Sequence, residues 1–278
     1  MKIALIQMSM TDNQDENLSK ALQFIKEASE KGAKIICLPE LFTSTYFPQE
    51  ENVNTEKFTE SIPGKSHDLL SKAAKDNQVV IIGGSIFEKA DKLYNTSMVF
   101  DENGKLLGNY RKIHIPYDEK FYEKNYFEKG DLGYKVFETK YGRIAVLICY
   151  DQWFPEAARI VSLMGADMIF YPTAIGICDS IKQTEGNWQE AWEGVQRGHA
   201  IANGVVVAGV NRVGKEGETN FWGGSFVYSQ FGTLITKADD TEGVVIAEIN
   251  TELGKEVKEG WGLFHNRRPE TYQKITEK

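Results

Sequence analysis

The sequence predicts an α/β fold in which two mixed sheets pack face to face with helices outside. Three observations carry this reading. Short apolar runs alternate with amphipathic helices along the 278-residue chain, the pattern of α/β architectures. Hairpin-type turn signals interrupt that alternation, so the sheets are mixed rather than purely parallel. The strand-like runs are also numerous, and two face-to-face sheets accommodate them.

Lys2–Gln7 reads as the first strand. A helix follows over about residues 16–31, with Leu18, Ala21, Leu22 and Ile25 at helical spacing and Gly32 at its end. Residues 35–38 form the next strand. A helix over about 66–76 precedes a strand at 79–87, in which Gly83-Gly84 marks a kink or close backbone packing. Leu93–Phe100 and residues 105–110 flank Asp101-Glu-Asn-Gly104, a hairpin turn. Val136–Thr139 and residues 143–148 flank Lys140-Tyr-Gly142 in the same way. After Cys149 come a helix at 155–164, a strand at 168–171, a long helix at about 187–203 and an apolar strand at 205–210. Strands at 225–228, 234–236 and 244–249 complete the sheets.

No linker or internal repeat is evident, so residues 1–278 read as one domain. The tail, 261–278, is aromatic and basic, with Trp261, Phe264, Arg267, Arg268 and Tyr272. It suits docking on a second copy of the chain. The three cysteines, Cys37, Cys149 and Cys178, are too few and too scattered for a disulfide framework, which fits the reducing cytoplasm. A net charge of −8 disfavours nucleic acid as a partner. No apolar run is long enough to span a bilayer. The four histidines are scattered, and no Cys or His pair has metal-ligand spacing. No Gly-x-Ser-x-Gly is present.

Three strand ends carry chemistry. Arg143-Ile-Ala-Val-Leu-Ile148 breaks at Cys149 into Tyr150-Asp-Gln-Trp-Phe-Pro155, which begins a helix. A thiol on such a bend lies beside free backbone N–H groups that can stabilise an oxyanion. Ile35-Ile-Cys-Leu-Pro-Glu40 ends in a carboxylate among Leu38, Leu41 and Phe42, the desolvated setting of a general base. Lys112 lies just past the 105–110 strand. Singly, each has an ordinary reading as a core thiol, a surface acid and a solvated lysine. Together they collect where α/β folds place ligands.

At these residues the chain resembles the nitrilase or carbon–nitrogen hydrolase superfamily. The matching blocks are Leu38-Pro-Glu40-Leu-Phe42, Tyr110-Arg-Lys112-Ile-His-Ile-Pro116 and Ile148-Cys149-Tyr-Asp-Gln-Trp-Phe-Pro-Glu156, in the family's order. The resemblance implies a four-layer αββα sandwich, a homo-oligomer with a dimer as its smallest unit, and no cofactor. It places the nucleophile at Cys149, the base at Glu40, the cation at Lys112 and a supporting glutamate at Glu123. The N–H of Tyr150 is the second oxyanion donor.

Within the superfamily the chain is similar to the N-carbamoylputrescine amidases, through Phe170-Tyr-Pro-Thr-Ala-Ile-Gly176, Gly198-His-Ala-Ile-Ala-Asn203 and Phe221-Trp-Gly-Gly-Ser-Phe226. This implies hydrolysis of N-carbamoylputrescine to putrescine, ammonia and carbon dioxide, in polyamine biosynthesis. The alternative is a β-ureidopropionase-like or ω-amidase-type hydrolase of a carboxylate-bearing substrate. Tyr46, Asp151, Trp153 and Phe154 are expected to line the pocket. Members of the subfamily often carry a glutamate shortly after Ile-Gly, placed to meet the distal ammonium. Here Gly176 is followed by Ile177-Cys178-Asp179, so Asp179 and Glu185 are the candidate counter-charges.

Overall fold

The computed structural model describes residues 1–277. Its first strands are β1 Lys2–Gln7, β2 Ile35–Cys37, β3 Thr59–Glu60, β4 Val80–Ile82, β5 Ile86–Lys89, β6 Leu93–Phe100 and β7 Leu106–Arg111. Next come β8 Val136–Thr139, β9 Gly142–Val146, β10 Met168–Thr173, β11 Gly176–Cys178 and β12 Val206–Asn211. The last are β13 Val213–Glu216, β14 Thr219–Trp222, β15 Phe226–Tyr228, β16 Leu234–Lys237 and β17 Gly243–Glu248. The helices are α1 Gln14–Glu30, α2 Lys65–Asn77, α3 Pro155–Leu163, α4 Trp188–Asn203 and α5 Glu252–Gly260.

One mixed sheet runs β17-β1-β2-β4-β6-β5-β3, with β7 also paired to β6. A second runs β16-β15-β12-β10-β9-β8, and a small third runs β11-β14-β13. Period-two alternation assigns the faces of the first sheet. Ile3, Leu5, Ile35, Cys37, Val80 and Ile82 point into the core shared with Ile144, Val146, Phe170 and Ala208 of the second sheet. Their neighbours Ala4, Ile6, Ile36 and Ile81 point the other way, onto Leu18, Ala21 and Ile25 of α1 and Leu70 of α2. Helices α3 and α4 cover the outer face of the second sheet, with Ala157, Val161, Trp192 and Ala200 fully buried there. The result is a four-layer αββα sandwich. Each buried Leu, Ile or Val on these faces contributes about 1.5–3 kcal/mol.

The helix ends follow from sequence. Asn13 and Asn187 cap α1 and α4, each side-chain oxygen accepting two backbone N–H groups of the first turn. Pro155 opens α3 at a position that needs no N–H.

The strand expected at 79–87 is two strands, β4 and β5, both paired to the long β6. The break falls at Gly83-Gly84. Gly84 has φ +49°, and a Cβ there would sit 2.0 Å from the Pro39 carbonyl oxygen. The kink therefore lets the chain pass directly against the segment that carries Glu40. Besides the two-residue β3, two features were not foreseen. Strands β11, β13 and β14 have three or four residues each, too few to show a period. Helix α5 buries only Gly254 and Val257, so its charged sequence hides its apolar stripe.

Candidate active site

Strand β9 stops at Val146, and a short helical turn spans Cys149–Trp153. Cys149 opens that turn with φ +44°. This left-handed conformation costs a residue with a Cβ about 1–3 kcal/mol and persists only where its surroundings enforce it. Asp151 enforces it. Its backbone N–H donates to the Ile148 carbonyl at 3.0 Å, and its carboxylate accepts the Ile148 N–H at 2.9 Å. The same carboxylate accepts the Tyr110 hydroxyl at 2.7 Å and the His114 N–H at 3.0 Å, and it faces His114 Nδ1 at 2.7 Å. It thereby bolts the thiol turn to the chain on either side of Lys112. Tyr150 N–H lies ahead of the first bond inside the turn and has no intrahelical acceptor.

Lys112, Glu40 and Glu123 meet beside this turn, all fully buried. Lys112 Nζ lies 2.8 Å from Glu40 Oε1 and 2.6 Å from Glu123 Oε2. Asn95 Nδ2 donates to Glu40 Oε1 at 2.8 Å, and the Tyr46 hydroxyl donates to Glu123 Oε1 at 2.8 Å. Glu40 Oε2 is buried with no hydrogen-bond partner among the described residues. An orphaned buried acceptor of this kind needs a reason.

The charges are coupled. Burial pushes the Lys112 ammonium down, but Glu123 and Glu40 outweigh it, so its pKa ends above the ordinary lysine value. Burial raises Glu123 to about 7 despite the opposing lysine. Burial and then Glu40 push the Cys149 thiol well above its usual range, against the pull of Lys112. The resting sulfur therefore keeps its proton, and attack needs a base that accepts it. Glu40 Oε2 is an acceptor with nothing to accept.

A cavity of about 480 Å³ opens over Cys149 and Glu123. Its walls are largely aromatic, with Tyr117, Phe121, Trp153 and Trp188. Its charged lining residues are Asp118, Glu123 and Glu185, with no Lys, Arg or His among the described residues that line it.

Of the expected pocket residues, Trp153 and Glu185 line this cavity. Tyr46 lies beneath it, fully buried against Glu123. Asp151 and Phe154 do not line it, and both expectations are corrected. Asp151 is fully buried, its oxygens consumed by the contacts above. Phe154 stacks on the His114 imidazole, with centroids 3.6 Å apart. Both follow the nucleophile in sequence, but the turn directs their side chains behind it. Asp179 is also displaced: it pairs with Lys215 at 2.8 Å on the exposed rim of the small sheet.

Sequence reading missed Asn95 and Asp118. Asn95 had a usable signal, as a polar residue in the strand Leu93–Phe100, buried along nearly its whole length. Asp118 had none beyond its place after Pro116.

A thiol on a constrained turn, an open carboxylate oxygen, a buried cation and free N–H groups form the apparatus for acyl chemistry at a carbonyl carbon. The fold and this arrangement define a cysteine-bearing α/β hydrolase. The carbon-nitrogen hydrolase family model matches residues 2–259, and the chain belongs to that family, the nitrilase superfamily. It acts on non-peptide carbon–nitrogen bonds. It is 39% identical to the N-carbamoylputrescine amidase of Arabidopsis thaliana, over 98% of this chain and 93% of that protein. It is 36% identical to the citrullinase of Francisella tularensis subsp. tularensis, over 100% and 99%. It is 37% identical to Omega-amidase NIT2-A of Xenopus laevis, over 98% and 96%. A solved carbon-nitrogen hydrolase from Helicobacter pylori G27 superposes with a TM-score of 0.95 at 36% identity, covering 100% of this chain and 99% of that one.

Proposed function

We propose that the chain hydrolyses N-carbamoylputrescine, or a similar short N-carbamoyl diamine, to the diamine, ammonia and carbon dioxide, in polyamine biosynthesis. Cys149 attacks the carbamoyl carbon while Glu40 Oε2 takes the thiol proton. Lys112 Nζ and the Tyr150 N–H stabilise the oxyanion. The C–N bond to the terminal nitrogen breaks, and Glu40 returns the proton so that ammonia leaves. Glu123 holds Lys112 and contacts the leaving nitrogen. Water, activated by Glu40, then cleaves the S–C bond of the thiocarbamate. The released carbamic acid decomposes to amine and carbon dioxide. No metal or organic cofactor takes part.

The observation that carries the substrate reading is the sign of the cavity's charge. Asp118 and Glu185 line the cavity, and among the described residues no cationic side chain does. A carboxylate-bearing substrate, as the alternative requires, finds no counter-charge there, and an unpaired ion is costly to desolvate. Glu185 is positioned for an ammonium. Bonds from its own backbone N–H, Trp188 Nε1 and Thr184 hold its carboxyl below the ordinary range, so it is anionic at neutral pH. The N-carbamoylputrescine amidase relatives support the same choice. A product assay across carbamoyl diamines, citrulline, other carbamoyl amino acids and ω-amides tests it. Preference for any carboxylate-bearing substrate rejects the reading. Glu185→Gln is expected to raise KM for the carbamoyl diamine about fivefold, the scale of an exposed ion pair. It should leave an uncharged carbamoyl alkylamine unchanged, and equal effects on both would remove Glu185 from ammonium recognition.

We propose further that the protein is a homo-oligomer built from dimers. Among the described residues, five of the eleven exposed large apolar side chains lie on one face: Ile160 and Leu163 on α3, and Trp261, Tyr272 and Ile275 in the tail. A groove of about 740 Å³ runs between these two segments. Apolar patches of this kind mark association surfaces. Light scattering at micromolar concentration is expected to show a dimer or larger, and deletion after Gly260 to shift it toward monomer. A monomeric full-length protein excludes the proposal. All three cysteines are free thiols, which suits the cytoplasm as the proposed compartment.

A further inference from the structure

Arg212 joins β12 to β13 and is among the largest fully buried side chains. Its NH2 group donates to three carbonyl oxygens of one loop: Glu40 at 2.9 Å, Leu41 at 3.0 Å and Ser44 at 3.3 Å. Its NH1 group pairs with Glu216 Oε1 at 2.6 Å. Glu216 Oε2 accepts the backbone N–H of Tyr46. The guanidinium also lies 5.1 Å from the Phe221 ring centroid and 5.9 Å from that of Tyr46. The pair thus grips both ends of segment 40–46, through carbonyls at one end and an amide at the other.

That segment is strained and bears two groups of the site. Leu41, directly after Glu40, has φ +48°, a conformation costly for a branched side chain. Three carbonyl oxygens converging on one point repel each other unless a multidentate donor sits among them, and guanidinium supplies such a fork. The segment then sends the Glu40 carboxylate to Lys112 and the Tyr46 hydroxyl to Glu123. It descends from the first sheet, whereas Cys149 descends from the second. Arg212 itself follows a second-sheet strand. Its neighbour Asn211 both accepts from the Ile175 N–H and donates to the Ile175 carbonyl, at 3.0 and 2.9 Å, on the cavity wall.

We infer that Arg212, with Glu216, is a positioning residue that sets the base Glu40 against the thiol across the gap between the sheets. Neither residue lines the cavity. The inference rests on Glu40 as the base and not on which carbamoyl substrate is turned over.

The test uses Arg212→Lys, which keeps the charge and loses the fork. Steady-state kinetics are measured on any amide or carbamoyl substrate that the native protein hydrolyses, and the rate of Cys149 alkylation by iodoacetamide is followed against pH. Displacement of a catalytic group by about 1 Å can cost on the order of 10²-fold. The expected result is a folded variant with kcat lowered at least ~10-fold and KM changed less than ~3-fold. Its alkylation profile should be displaced from the native one, a signature that general destabilisation does not produce. Glu216→Gln is the second arm. Its single amide oxygen cannot serve both donors, so an NH2 group faces either the Tyr46 N–H or the Arg212 guanidinium, and it should also lower kcat with KM retained. If Arg212→Lys does not fold, this arm decides. Native kcat and a native alkylation profile in either folded variant overturn the inference. Failure of both variants to fold overturns it too, because the pair is then a folding element only. If no substrate in the panel is hydrolysed by the native protein, the proposed function fails while the alkylation profiles still judge Arg212.

Discussion

Replacing Cys149 by alanine is expected to lower turnover by on the order of 10⁴–10⁶-fold, the scale on which a covalent mechanism collapses when its nucleophile goes. The protein should stay folded. The turn is held by the Asp151 carboxylate and by backbone bonds, none of which uses the sulfur. Among the described residues the thiol's one hydrogen-bond contact is a long one, 4.0 Å to the Ala174 carbonyl. Cys149→Ser should be nearly as inactive, because a hydroxyl is a far weaker acid than a thiol and Glu40 cannot ionise it. Cys178→Ala is the control, with its thiol outside the cavity and activity largely retained. Circular dichroism, thermal unfolding and ammonia release settle the matter together. Native-like turnover by folded Cys149→Ala would sink the mechanism.

Glu40→Gln is expected to lower kcat by about 10²–10⁴-fold, the usual worth of a positioned general base, with substrate affinity kept. The geometry makes this a clean substitution. Asn95 Nδ2 and Lys112 Nζ both donate to Oε1, and the glutamine oxygen can still accept them. What changes is Oε2, the atom without a partner, which becomes an NH2 group unable to take a proton. Stability should not fall. The native cluster buries two carboxylates against one ammonium, and the variant leaves one of each. Removing Glu40 also removes one of the charges that raise Glu123, so the Glu123 pKa should drop below its native value of about 7. Pre-steady-state measurements should show no rapid acylation phase. If only KM changed, Glu40 would be a binding residue and another base would be needed.

The two sheets, their mixed character and most strand positions were legible because burial patterns with a period of two are local. Leu93–Phe100 and Val136–Thr139 appear in the structure with the bounds that the sequence indicated. Strand-end residues were legible for the same reason. Glu40, Lys112 and Cys149 each follow an apolar run, and the fold brings those ends together. The kink at Gly83-Gly84 was visible in sequence, but its purpose was not. It lets the backbone pass against Pro39, which lies about 45 residues away along the chain.

Residue types and short-range periodicity determined the mixed sheets and the cysteine, carboxylate and lysine at strand ends, while the likeness of three motif blocks to a known superfamily carried the family. The tertiary structure alone decided where each polar side chain found its partner. Asp151 turned inward and Glu185 toward the cavity, Asp179 went to a surface lysine, and Arg212 reached the carbonyl of Glu40 across 172 residues of sequence. The physical reason is desolvation. A polar group removed from water must be paired or lose more than a hydrogen bond is worth. Which partner pairs it depends on distant segments that packing brings within 3 Å, and no local pattern encodes that choice.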